Sequence, residues 1–197
     1  MEKPFSPSCE RNKDPILSAI RTLLINRKSV LEVGSGTGQH AVYFAKEMPW
    51  LTWQCSDLQE NLAGLDMWIK EAALSNLPPP INLDVSTSSL RPQFDVIYTA
   101  NTLHIMSIEQ VSYFFKLIGE WAGSVKEVLI YGPFNYAGKY TSASNAQFDS
   151  WLKNRDPVSG IRDFEWIIDL ASQNHLTLES DVEMPANNRL LHLVSIF

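Results

Sequence analysis

The sequence predicts an α/β fold, a mostly parallel sheet covered by helices on both faces. Three observations predict it. Short β-branched runs alternate with stretches of helical spacing along most of the chain. The last two strand-like runs have no helix between them, so they are expected to close the chain as an antiparallel pair. No internal repeat and no linker rich in Gly, Ser or Pro divides the 197 residues, so a single domain over residues 1–197 is expected.

Each element has a local reason. In DPILSAIRTLL, Asp14 is placed as an N-cap and Pro15 at the first helical position. Ile16, Ile20, Leu23 and Leu24 then share one helix face. The run SVLEV (29–33) reads as a strand, and helical spacing resumes over 39–47. LTWQCS (51–56) reads as a strand and 60–74 as a helix, with the prolines at 78–80 as a stop. INLDV (81–85) and FDVIYT (94–99) are further strands, followed by a helix over 107–121 and the strand EVLIYG (127–132). A helix over 161–174 precedes LTLES (176–180) and LLHLVSIF (190–197), the closing pair, joined through MPANNR. Residues 133–160 form one long insertion, of the kind that builds a substrate site after a strand.

Composition removes several function classes. Apolar residues make up 45 % of the chain, enough for a sizeable core, so a mostly disordered chain is excluded. A net charge of −6 speaks against a general binder of nucleic acid, which works by neutralising phosphates. Two cysteines, Cys9 and Cys55, give no framework of bridges and suit a reduced chain. The N-terminus shows no apolar signal segment and no run is long enough to span a membrane, so a cytoplasmic chain is expected.

The strongest motif is VLEVGSGTGQHA (30–41), where a strand runs into Gly34, Ser35, Gly36 and Gly38 and a helix follows. Such glycines allow a tight turn and close approach of a ligand to the backbone. A dinucleotide turn needs a third glycine at position 39, which is Gln39, and no Lys-Ser/Thr follows for a phosphate-cradling loop. Glu32 sharpens the choice. Beside a pyrophosphate its charge repels; beside the amino group or sulfonium of S-adenosylmethionine it attracts. Asp57, followed by Leu58, ends the second strand, where a carboxylate accepts from both ribose hydroxyls. Asp84, near the end of the third strand, is placed to accept from an adenine amino group, with the Val85 N–H facing a ring nitrogen. Alone, each acid reads as a loop or cap residue. In this order after GxGxG, they point to a nucleoside ligand.

These residues resemble class I S-adenosylmethionine-dependent methyltransferases over nearly the whole chain. The resemblance implies a Rossmann-like sheet of seven strands in the order 3-2-1-4-5-7-6, with only the last strand antiparallel. A closer resemblance is carried by ERNKDPIL (10–17), SGTGQHA (35–41), NTLHIM (101–106), YGPF (131–134), SNAQFD (144–149) and MPANNRLL (184–191). These look like one uncharacterised domain-of-unknown-function family, the one that includes methyltransferase-like protein twenty-six. That resemblance implies a cofactor, S-adenosylmethionine, and no particular substrate.

Further residues carry two readings each. Arg11, with Asn12, either pairs with the methionine carboxylate as a bidentate clamp or is solvated at a helix start. His40 either lines the cofactor pocket or lies on the helix surface. Asn101, Thr102 and His104 follow the fourth strand at its carboxyl end, where open α/β sheets bind ligands. Asn101 is taken as a cofactor contact. His104 is the leading candidate for a general base, against a histidine packed under the next helix; Tyr131 is the second candidate. Tyr131, Pro133, Phe134 and Asn135 are expected to wall an acceptor pocket with Asn145, Phe148 and Asp149. Asn187 and Asn188 either make a turn or point amides into that pocket. No zinc spacing is present, and Asp149 and Asp163 are too few for a metal-dependent site. The expected partner is a small-molecule acceptor, with no nucleic acid and no membrane, in a monomer or homodimer. The rival reading is a non-catalytic binding or interaction module on the same fold.

Overall fold

The computed structural model describes residues 2–88, 94–121 and 123–196. Its strands are β1 (Ser29–Val33), β2 (Thr52–Asp57), β3 (Ile81–Asn82), β4 (Val96–Ala100), β5 (Glu127–Gly132), β6 (Phe134–Asn135), β7 (Arg162–Asp163), β8 (Leu176–Met184) and β9 (Asn188–Ser195). Its helices are α1 (Pro7–Ile20), α2 (Gln39–Glu47), α3 (Leu62–Ala72), α4 (Ile108–Glu120), α5 (Ala143–Arg155) and α6 (Phe164–Gln173). Seven strands form one sheet in the order β3-β2-β1-β4-β5-β9-β8. Counted within that sheet, the order is 3-2-1-4-5-7-6, as the resemblance implies. β9 runs antiparallel to both β5 and β8, and β1 runs parallel to β2 and β4. No described helix is long and apolar enough to cross a membrane.

By packing, the chain divides into two compact units. The first comprises Met1–Asp84 and Phe94–Tyr98; the second comprises Val85–Gln93 and Thr99–Phe197. In the first, the rings of Phe44, Trp53 and Tyr98 meet at 5.3–5.7 Å and are fully buried. Such rings remove large apolar areas from water and dominate the core energetics. In the second, β5 is buried along its whole length, and Phe114, Phe115 and Ile118 of α4 are buried with it. α4 starts at a reciprocal cap. Ser107 Oγ accepts from the Gln110 N–H at 3.2 Å, and Gln110 Oε1 accepts from the Ser107 N–H at 2.8 Å.

Four elements differ from expectation. α1 starts at Pro7, not at Pro15, so Asp14 lies inside the helix and is no N-cap. Ser6-Pro7 repeats the polar-then-proline start signal one turn or more upstream. Contacts to α2 hold the extra turns. Ser6 N–H donates to Gln39 Oε1 at 2.5 Å, and Gln39 Nε2 donates to Glu10 at 2.8 Å. The helix therefore runs through Pro15, which has no N–H to give. β3 has two residues instead of five, because its partner β2 ends at Asp57; after Leu83 N–H bonds the Asp57 carbonyl at 2.9 Å, nothing remains to pair with. Asp84 and Val85 thus lie beyond the strand. β8 extends to Met184, four residues further than LTLES, because Asp181 and Glu183 face Arg189 across the hairpin. Phe197, the last residue of the expected final strand, lies outside the described residues. The insertion, finally, contains a thirteen-residue helix, α5, capped by Ser142 Oγ accepting from the Asn145 N–H at 3.1 Å.

Candidate functional site

In the first unit, β1 ends in a turn with three left-handed glycines, Gly34 (φ 74°), Gly36 (φ 58°) and Gly38 (φ 87°). Gly34 and Ser35 N–H groups both donate to the Ser56 carbonyl at 3.0 Å, tying the turn to β2. Gly38 is required for two reasons. Its φ is closed to most side chains, and a Cβ there would lie 2.6 Å from Leu65 Cδ1. Gly36 is different: its Cβ would meet nothing within 4 Å, and its backbone is exposed. The turn therefore presents bare backbone on that side.

Asp57 ties this turn to the end of β2. Its Oδ2 accepts from the Gly36 N–H at 2.7 Å; its Oδ1 accepts from the Leu58 N–H at 2.8 Å and Asn61 Nδ2 at 2.7 Å. A carboxylate has about four acceptor positions, so one stays open and Asn61 is the side chain that can yield another. A cavity of about 320 Å³ opens beside it, lined by Glu2, Pro4, Gly36, Thr37, Glu60, Asn61 and Gly64. Leu58 is over a third exposed at its edge of β2. Asp84 sits half-buried in the turn after β3.

Glu32 lies beneath the glycine turn, 2 % exposed. Burial raises its carboxyl to about 7, against the bond from Trp53 Nε1 at 3.0 Å, with the charge of Asp57 adding to the rise. A carboxylate of this kind is primed to ionise when a cation comes near.

The N-terminal segment lies over the same unit. Trp68 Nε1 donates to the Pro4 carbonyl at 2.7 Å, and Lys3 sits 3.8 Å over the Trp68 ring. Arg11 is exposed and donates to Ser8 Oγ at 3.3 Å. Asn12 is buried, its Oδ1 2.6 Å from His40 Nε2. His40 is likewise buried rather than on the helix surface, stacked on Phe44 at 5.3 Å, and burial lowers its imidazole to about 4. Asn12 and His40 are thus each other's polar partners.

The second unit carries the remaining residues. Asn101 adopts a left-handed φ of 58° after β4, and its N–H donates to the Tyr131 carbonyl at 2.8 Å. The chain then turns through Leu103, His104, Ile105 and Met106. His104 is 6 % exposed, packed edge-on against Phe148 at 5.2 Å. Among the described residues, nothing hydrogen-bonds its ring nitrogens. Burial lowers the imidazole to about 4, helped by the cations of Arg162 and Arg155. Tyr131 and Phe134 are buried, and Asn135 Oδ1 is buried without a hydrogen bond among the described residues. Val85 is buried in the turn that opens this unit.

Of the three further asparagines, Asn145 and Asn187 are joined to each other and Asn188 closes its own turn. Asn145 Nδ2 donates to Thr141 Oγ1 at 2.8 Å and to the Asn187 carbonyl at 3.1 Å. Asn187 Nδ2 reaches Ser144 Oγ at 3.2 Å, and Asn188 Nδ2 donates to the Pro185 carbonyl at 3.1 Å. Asn187 also takes a left-handed φ of 57°, as a tight turn needs. These amides hold α5 to the β8–β9 turn.

Sequence reasoning passes over Arg162. It is 8 % exposed and has no carboxylate partner among the described residues. Its Nε donates to the Leu103 carbonyl at 3.1 Å, and its Nη2 to the carbonyls of Met106 and of Val158, the latter at 2.9 Å. Asp149, 2 % exposed, was placed in the pocket wall; here it anchors this segment, accepting from the Ile161 N–H at 2.7 Å, Tyr140 at 2.7 Å and Lys153 at 2.6 Å. Burial raises its carboxyl, but those bonds outweigh it and leave the group below its usual range. The available signal was the spacing Asn145, Asp149, Leu152, which puts polar residues on the buried face of α5. No cluster of metal-ligating side chains occurs among the described residues.

The family described as a protein of unknown function (DUF938) matches residues 3–194. The chain belongs to that family. Solved structures similar to this family member include methyltransferases. An S-adenosylmethionine-dependent methyltransferase, SibL, superposes with a TM-score of 0.78 at 20 % identity, over 95 % of this chain and 55 % of that one. Human N-acetylserotonin methyltransferase, in complex with S-adenosylmethionine, gives 0.75 at 15 % identity, over 95 % and 52 %. The mitomycin 7-O-methyltransferase MmcR gives 0.74 at 15 % identity, over 94 % and 57 %. The chain therefore spans little more than half the length of these structures. At such identities the likeness shows the fold.

Proposed function

We propose that the chain transfers the methyl group of S-adenosylmethionine to an oxygen of a small molecule. One observation carries the reading. The bare Gly36 backbone borders a cavity of about 320 Å³, with the Asp57 carboxylate bonded directly behind it and Asn61 alongside. An acceptor carboxylate at that place fits the hydroxyls of a nucleoside ribose. The methyltransferases of like fold support the choice of nucleoside.

The bound cofactor supplies an already activated methyl sulfonium. Asp57 and Asn61 hold the ribose, and Gly34, Ser35, Gly36 and Gly38 keep the turn open. Glu32 provides a counter-charge for a cation, and Asp84 with the Val85 N–H recognises the adenine. Arg11, Asn12 and Asn101 complete the cofactor set. In the second unit, neutral His104 accepts the proton of the acceptor hydroxyl, with Tyr131 as the alternative group. Phe134, Asn145, Asn187 and Asn188 border the acceptor. Alignment and exclusion of water do the rest of the work.

Thermal unfolding with S-adenosylhomocysteine, S-adenosylmethionine and NAD, each added alone, tests the reading. A ligand of the native state at about a hundred times its Kd adds about 2.7 kcal/mol. A rise with the first two and none with NAD is expected. No rise with either overturns it. A rise without any S-adenosylhomocysteine production over a broad panel of acceptors favours the non-catalytic module.

A further inference from the structure

We propose that Arg162 is the positioning residue of the second unit: its guanidinium staples the loop that carries His104 and places a fixed cation beside that ring. Four consecutive carbonyls of this loop are taken by one short segment. Leu103 and Met106 accept from Arg162, His104 accepts from the Gly160 N–H at 2.9 Å, and Ile105 accepts from Ser159 Oγ at 2.9 Å. The remaining bond of the guanidinium, to Val158, closes the segment on itself. A planar fork with fixed donors can hold several carbonyls at once; an ammonium cannot reproduce that geometry.

Among the described residues no carboxylate hydrogen-bonds the guanidinium; Asp149 and Glu109 act on it only through space. Asp149 is buried, and its oxygens already bond Ile161, Tyr140 and Lys153. Arg162 therefore keeps a full charge close to His104. The groups facing the His104 ring are Phe148 from α5, Gly132 from β5, Arg162 from β7 and Arg155 at the end of α5. Among the described residues two of these are cations and none is an acid, so an imidazolium there is disfavoured by charge as well as by burial. Arg155 is exposed and lies 4.9 Å from the Trp151 ring, where solvent screens it; Arg162 is buried and screened less. The segment thus does two things for His104. It fixes where the ring points, and it keeps the lone pair free of a proton. Only the use of that lone pair in a reaction rests on the proposed function.

The experiment follows the His104 ring by NMR as a function of pH, with no cofactor or acceptor present. Failure of methyl transfer therefore leaves it untouched. The His104 signal is the one missing in His104→Gln. In the unaltered chain it does not titrate above about pH 5. Arg162→Gln removes the cation and most of the fork, and the midpoint is expected to rise by about one unit or more. A folded Arg162→Gln with an unchanged midpoint overturns the proposal. Arg162→Lys keeps the charge and loses the fork. Its midpoint is expected to stay, while the Gly160 amide exchanges about tenfold faster or more, since its bond to His104 is no longer held. Unchanged Gly160 exchange in Arg162→Lys overturns the staple even if Arg162→Gln fails to fold. Arg155→Gln separates charge from geometry: a smaller midpoint rise with Gly160 exchange unchanged is expected, and a rise as large as that of Arg162→Gln overturns the assignment.

Discussion

His40 in the first unit and His104 in the second are both buried, and both imidazoles are lowered to about 4. Their surroundings differ. His40 has a partner, Asn12 Oδ1 at 2.6 Å, and a stacked ring, Phe44. His104 has a ring neighbour and two cations but no hydrogen bond among the described residues. The comparison teaches that His40 is a structural tie between α1 and α2, whereas the ring of His104 is held by packing alone among the described residues. The sequence alone weighs the two about alike; the hydrogen bonds separate them.

The largest effect that sharpens this contrast lies in the first unit. Asp57→Ala removes the acceptor of three bonds, and S-adenosylhomocysteine affinity by calorimetry is expected to fall about 100-fold or more, from charge-assisted bonds of about 1.5–3 kcal/mol each. Unchanged affinity would mean the ribose is held elsewhere. Next in size is Asp149→Ala. It strands the buried Ile161 N–H and frees the exposed Tyr140 and Lys153 to solvent, and chemical denaturation is expected to show a loss of about 2–3 kcal/mol. Third is the histidine pair itself. His40→Leu leaves Asn12 Oδ1 unpaired and is expected to cost about 1–3 kcal/mol, while His104→Leu breaks no bond and is expected to cost under about 0.5 kcal/mol. Equal losses would break the comparison.

The smallest effect is on pH. Both histidines have a folded pKa below the unfolded one, so the unfolded chain binds more protons between 6.5 and about 4. Their stability is present above 6.5 and is lost as pH falls through that window. Glu32 works the other way. Its folded value, raised from 4.5 to about 7, means stability is present below 4.5 and lost as pH rises towards 7. Melting temperatures of Glu32→Gln are therefore expected to rise more between pH 5 and about 6.5 than those of the unaltered chain, because the loss from Glu32 no longer offsets the gain from the histidines. A curve of identical shape would show that Glu32 titrates normally.

Much of the fold is legible in the sequence because its signals are local. SVLEV and EVLIYG coincide with β1 and β5 residue for residue, and the 39–47 spacing coincides with α2. The GxGxG turn is legible because three left-handed positions within five residues, one of them closely packed at Gly38, favour glycine. The start of α1 is not, since two Ser/Asp-Pro signals compete and the choice is made by Gln39, far along the chain. α5 is missed because its buried face is polar, which hides the usual apolar stripe. Arg162 is missed because a buried arginine bonded to carbonyls leaves no pattern in sequence.

By itself, the sequence determined the alternation of strands and helices, the glycine turn and the acid at the end of β2. These depend on backbone conformations and periodicities that neighbouring residues impose. Only the tertiary structure decided that Asp57 bonds the Gly36 N–H, that His40 is paired and His104 is not, and that Arg162 holds the His104 loop. Those outcomes depend on which groups burial brings together from distant parts of the chain, and on whether each buried donor or acceptor then finds a partner.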